Sequence, residues 1–128
     1  AQFIGSPAMN VVHGTLRRSG GEAWVEAEGG VRWPLAPTRP GSDGQTVAYG
    51  VRPGDLGVAA GTRSVPVEVI VVEPTGAETE LLVRAGTAEI VVVVHGRTQA
   101  QPGETIPLAI DTAAVHLFDP ASGAALPA

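Results

Sequence analysis

The amino-acid sequence predicts an all-β protein, most economically a small Greek-key barrel. Valine dominates the apolar residues, and β-branched side chains suit a pleated, packed surface better than a helix. The 17 glycines and 11 prolines break the 128 residues at short intervals and leave no clean helical stripe. Several segments between these breaks are apolar on both faces, which requires a second layer or a closed sheet to cover them.

The elements follow in order. A first strand runs from about Met9 to Arg18, and Ser19-Gly20-Gly21 turns it into Glu22–Glu28. There Val25 and Ala27 face one way and Trp24, Glu26 and Glu28 the other. Gly29-Gly30 has the chemistry of a two-residue hairpin loop with positive φ at both positions. The return strand Val31–Leu35 puts Val31, Trp33 and Leu35 on one face. Ala36–Gln45 is rich in Pro, Gly and Ser and reads as a loop and a boundary between two lobes, near residues 36–45. Thr46–Arg52 is a strand stopped by Pro53-Gly54, and Asp55–Gly61 has room for one helical turn. Val65–Glu73, Glu78–Arg84, Glu89–His95 and Ile106–Ile110 are further strands, the third so rich in valine that both its faces need cover. Val115–Phe118 and Ala124–Leu126 flank Asp119–Gly123 as a terminal hairpin.

Composition limits the function. There is no cysteine, so neither a disulfide framework nor a thiolate metal site can form. All eight bases are arginine, and the 13 acids give a net charge of -5 with no block of like charge. Without lysine there is no Walker A loop and no Schiff-base chemistry. His13, His95 and His116 show no metal-ligand spacing, and Gly5-Ser6-Pro7 is not a nucleophile elbow. Aromatic residues make up only 4%, and with an acidic balance this argues against single-strand nucleic-acid binding. No apolar run approaches the roughly 20 residues that span a bilayer, and no secretory signal is read at the start, so a soluble chain is expected.

Four runs carry a resemblance. Phe3-Ile4-Gly5-Ser6-Pro7-Ala8-Met9-Asn10 resembles the segment that opens the C-terminal domain in ATP-binding subunits of maltose- and glycerol-3-phosphate-type ABC importers. Tyr49–Leu56, Val69–Thr79 and Val115–Asp119 resemble that family's later motifs in the same order. Gly54-Asp55 departs from the family's Glu-His, and Val11 stands where an aromatic often follows the Asn.

The resemblance implies a transport-associated OB-type (TOBE) barrel with additional strands, in two lobes, following an ATPase domain that this chain lacks. It implies no cofactor in this chain, with ATP and Mg confined to that ATPase domain, and no catalysis here. The expected role is regulation and dimerisation: a homodimer contact that keeps two ATPase subunits together, indirect coupling to permease subunits, and docking of a cytoplasmic regulator. The expected place is cytoplasmic, peripheral to the inner membrane. A small-ligand barrel sensing an oxyanion or sugar phosphate is the alternative. Trp24, Trp33, Arg52, His116 and Phe118 are the interface or regulatory candidates. Structural roles are expected for Gly5 and Pro7 in a bend, with Ser6 and Asn10 in the same motif, Met9 as core filler and Gly76 in a hairpin. Arg52 is expected to bridge turn carbonyls, and Phe118 to anchor the core with His116 on the opposite face.

Overall fold

The computed structural model describes residues 4–61 and 63–128. Among the described residues ten strands form two five-stranded sheets around one continuous core. The first sheet holds β1 (Asn10–Ser19), β2 (Glu22–Ala27), β3 (Arg32–Leu35), β4 (Thr46–Val51) and β10 (His116–Phe118), in the order β10-β4-β1-β2-β3. The second holds β5 (Leu56–Val58), β6 (Val65–Pro74), β7 (Glu78–Ala85), β8 (Ala88–His95) and β9 (Thr105–Ile110), in the order β5-β9-β6-β7-β8. β5 packs against β8, so the second sheet nearly closes on itself. Every strand pairing is antiparallel.

The loop between β3 and β4 stays within the first sheet. Although residues 36–45 have linker chemistry, β4 returns to pair with β1 in the first sheet. The chain changes sheet one strand later, at the 3-10 turn Pro53–Asp55. Pro53 fixes that turn, and Leu56 follows at once in a strand, so the helical turn expected over Asp55–Gly61 lies earlier and is shorter. β10 then crosses back to β4 and ties the end of the chain to its beginning.

The Gly29-Gly30 turn has positive φ at both positions, 82° and 76°, as its chemistry requires. It is one residue longer than expected, because Ala27 N–H donates to the Val31 carbonyl at 2.8 Å and leaves Glu28 in the loop. Its tip rests on the β7–β8 hairpin: a Cβ on Gly86 would meet the Glu28 carbonyl oxygen at 2.7 Å. β6 carries a bulge between Val69 and Val71. The extra residue reverses the alternation, so Val65, Val67 and Val69 point inward before it and Val72 packs on the core after it.

Leu16, Val25, Trp33, Leu35 and Tyr49 from the first sheet meet Val69, Leu81, Val83, Ile90 and Leu108 from the second. Asn10 fastens the sheets where they meet. Its side-chain amide donates to the Val91 carbonyl and accepts from Val91 N–H, both at 2.9 Å, while the residue is only 5% exposed. Asn10 thereby caps the open edge of β8 at Val91. Ile90, Val91 and Val92 are buried in succession, so both faces of β8 are covered there as the valine run requires.

Candidate functional site

Two surfaces of the first sheet carry three of the residues singled out in the sequence, Trp24, His116 and Phe118. The first is the outward face of β1, β4 and β10. Strand register aligns Val11, Gly50 and His116 in one row and His13, Ala48 and Phe118 in the next. The central strand supplies only Gly50 and Ala48, so larger neighbours lean over it. A Cβ on Gly50 would lie 2.5 Å from Met9 Sδ and 3.0 Å from the Phe118 ring. The His116 and Phe118 rings stack with centroids 6.3 Å apart and planes at 16°. Val11 is 50% exposed at the edge of this apolar patch.

This arrangement corrects two expectations. Residues two apart on a strand share a face, so His116 and Phe118 lie together outside and Leu117 between them is the core residue, 1% exposed. Met9 is half-buried and covers Gly50 from outside, so it is not an interior filler.

The second surface lies on β2, β3 and the adjoining end of β1. Arg17, Trp24 and Pro34 form one row, and Glu26 faces Arg32 in the next. The Arg32 guanidinium sits 4.6 Å from the centre of the Trp24 ring. Trp24 is therefore partly exposed and stacked, while Trp33 belongs entirely to the core. Trp33 is 0% exposed, with its ring 5.7 Å from that of Tyr49, and is corrected from interface candidate to core residue.

Arg52 is exposed, and among the described residues its guanidinium bridges no turn carbonyl. Two arginines that the sequence reading passed over do that work. Arg18 donates to the carbonyls of Gly41 at 2.8 Å and Pro37 at 3.1 Å, and also to that of Arg39, wrapping the β3–β4 loop around its side chain. Arg39 is only 8% exposed and donates to the Val115 carbonyl at 2.7 Å, joining the loop to the segment before β10. Burial lowers the Arg39 pKa, and burial raises that of Tyr49, whose neighbour Arg39 partly opposes the shift. The Tyr49 hydroxyl donates to the Pro34 carbonyl at 2.7 Å. A side-chain-to-backbone bond between distant loops has no spacing signature, so no pattern in the sequence marked Arg18 or Arg39.

The remaining motif residues fall in turns. Gly5 has φ +66° and, with Ser6 and Pro7, lies exposed ahead of β1. Gly76 takes φ +82° in the β6–β7 turn, the conformation expected of it. Among the described residues no group of three or more His, Asp or Glu side chains is placed to hold a metal ion.

Residues 5–56 match the family model for the MalK OB fold domain, and residues 49–118 match that for the TOBE domain. An uncharacterized ABC transporter ATP-binding protein, y4oS of Sinorhizobium fredii, is 43% identical over 97% of this chain and 33% of its own length. The alpha-glucoside transport ATP-binding protein AglK of Rhizobium meliloti is 37% identical over 93% of this chain and 34% of its own. The sn-glycerol-3-phosphate import ATP-binding protein UgpC of Burkholderia thailandensis is 34% identical over 96% of this chain and 35% of its own. The chain thus spans about one third of the length of the curated relatives it matches. Its fold is similar to that of the molybdate-binding protein ModG, with a TM-score of 0.69 at 20% identity, over 93% of this chain and 100% of that one. The two family matches meet at β4, where the chain is about to change sheet, and place it plainly: this chain belongs to the TOBE domain family, with a MalK-type OB fold domain over its first half.

Proposed function

We propose that this chain is the regulatory and dimerisation domain of the ATP-binding subunit of a carbohydrate-type ABC importer. In this reading two copies meet through the outward face of β1, β4 and β10, and the contact keeps two ATPase domains together while they open and close on ATP. The supporting observation is the patch itself. Val11, Met9, Phe118 and His116 surround Gly50 and Ala48 with no carboxylate or guanidinium among them, whereas the charges of this side of the sheet lie toward β2 and β3: Arg17 at the far end of β1, Glu26 and Arg32. A face of this kind suits an isologous contact, in which the same patch meets itself across a two-fold axis. The similarity to AglK and UgpC supports a sugar- or glycerol-phosphate-type importer as the parent, working with permease subunits on the cytoplasmic side of the membrane. A cytoplasmic regulator would dock on what the dimer leaves exposed.

Sedimentation of the chain from about 10 μM to about 1 mM tests the dimer. The average mass should rise with concentration, and Phe118→Glu, which places a charge in the centre of the patch, should weaken the association at least about tenfold. A chain that stays monomeric at about 1 mM overturns self-association through this face.

A further inference from the structure

At the far edge of the same sheet, β3 is the last strand, and beside it lies a cavity of about 250 Å³ bordered by Glu22, Trp24, Arg32, Pro34, Arg63 and Ser64. Arg32 faces Glu26 directly across β2, yet the Glu26 carboxylate lies 3.9 Å from Arg17 and the Arg32 guanidinium stacks on Trp24. A guanidinium over an indole face makes no hydrogen bond to it, so its N–H donors are available for another partner. Arg63 brings a second guanidinium to the cavity. Among the described residues neither Arg32 nor Arg63 is ion-paired, although acids outnumber bases 13 to 8 and Arg17 and Arg84 both have carboxylate partners. Two guanidiniums against the single carboxylate of Glu22 leave this concave site with an excess of positive charge, which favours an oxyanion.

Other features narrow the ligand. Pro34 has no N–H, and its carbonyl already accepts from Tyr49, so this sheet edge is poorly suited to an added strand. The volume has room for about ten non-hydrogen atoms, below the usual drug-sized site. Trp24 and Pro34 offer apolar surface to a short carbon chain. Glu22 can accept from a hydroxyl, and so can Ser64, whose own hydroxyl donates to the Gly61 carbonyl at 3.0 Å.

We propose that this groove binds a small hydroxylated organic anion, the phosphate ester or carboxylate of a short polyol. Arg32 and Arg63 grip the oxyanion, while Glu22 and Ser64 receive the hydroxyls. The groove and the β10 face occupy opposite edges of the sheet, so either assignment can fail without the other.

Calorimetry of the chain with sn-glycerol 3-phosphate, glycerate and inorganic phosphate tests the site, with tryptophan fluorescence as a second readout. Trp33 is buried, so a ligand-dependent change reports on Trp24. One of the two organic anions should saturate a single site, and the pair tells a phosphate ester from a carboxylate. Inorganic phosphate should bind at least about tenfold more weakly, since it makes no hydroxyl contacts. Arg32→Gln and Arg63→Gln should each weaken binding about tenfold, and Arg84→Gln, on the other sheet, should leave it unchanged. Three outcomes overturn the proposal: no saturation by either organic anion up to about 10 mM, binding indifferent to both arginine substitutions, or inorganic phosphate binding as tightly as the organic anions.

Discussion

Asn10 shows how one residue can join two sheets. Its amide mimics a strand partner for Val91, giving and receiving one hydrogen bond inside the protein. Asn10→Ala leaves both Val91 backbone groups buried without partners and should cost about 2–4 kcal/mol, read as a lower midpoint in urea unfolding. The sequence marked Asn10 through the motif that carries it, but not through its chemistry, because Val91 lies 81 residues away. Phe118 makes the complementary point. Residues two apart on β10 share a face, so the expectation of Phe118 inside with His116 on the opposite face fails on alternation itself. Leu117 fills that inward position, which frees both rings for an outward contact.

Among the elements, hairpins were the most legible, because turn residues and alternation act locally. The β1–β2–β3 meander, the β7–β8 pair and the terminal turn, where Asp119 N–H donates to the Ala124 carbonyl, all lie within a residue or two of their expected places. The β6 bulge was hidden because Val69, Ile70, Val71 and Val72 are all apolar and carry no phase information. The contact between hairpin tips was equally invisible, since each tip is an ordinary turn by itself. Gly86→Ala tests it: at φ +61°, with a Cβ only 2.7 Å from the Glu28 oxygen, the alanine variant should lose about 1–3 kcal/mol. Gly103 also has positive φ, 92°, but nothing lies within 4 Å of its Cβ position, so Gly103→Ala should cost less. Parallel urea titrations separate the packing contribution from the backbone one.

At the scale of the whole molecule, one core couples the two sheets, so the chain should unfold in a single transition. Its stability should fall in alkali. Burial raises the Tyr49 pKa above its ordinary value of 10.0. Above that pH the unfolded chain releases the proton and the folded chain keeps it, so the native state binds more protons. Stability then declines as pH rises, by up to about 1.4 kcal/mol per unit from this one group. Urea midpoints between pH 8 and 11.5 should show the decline, and Tyr49→Phe should flatten it while lowering stability at pH 8 through loss of the bond to Pro34. An equally steep decline in Tyr49→Phe would assign the effect to another group.

The sequence by itself determined that this protein is all-β, where most strands and turns lie, and which family it resembles. Those properties depend on neighbours along the chain: side-chain alternation, β-branched stiffness, and glycine or proline at turns. Only the tertiary structure decided that β4 rejoins the first sheet, that Trp33 is core while Trp24 borders a groove, and that Arg18 and Arg39 clasp the loop expected to divide the lobes. These outcomes depend on which strands lie side by side. Pairing is set by burial and hydrogen bonding between residues tens of positions apart, and a pattern read a few residues at a time does not contain it.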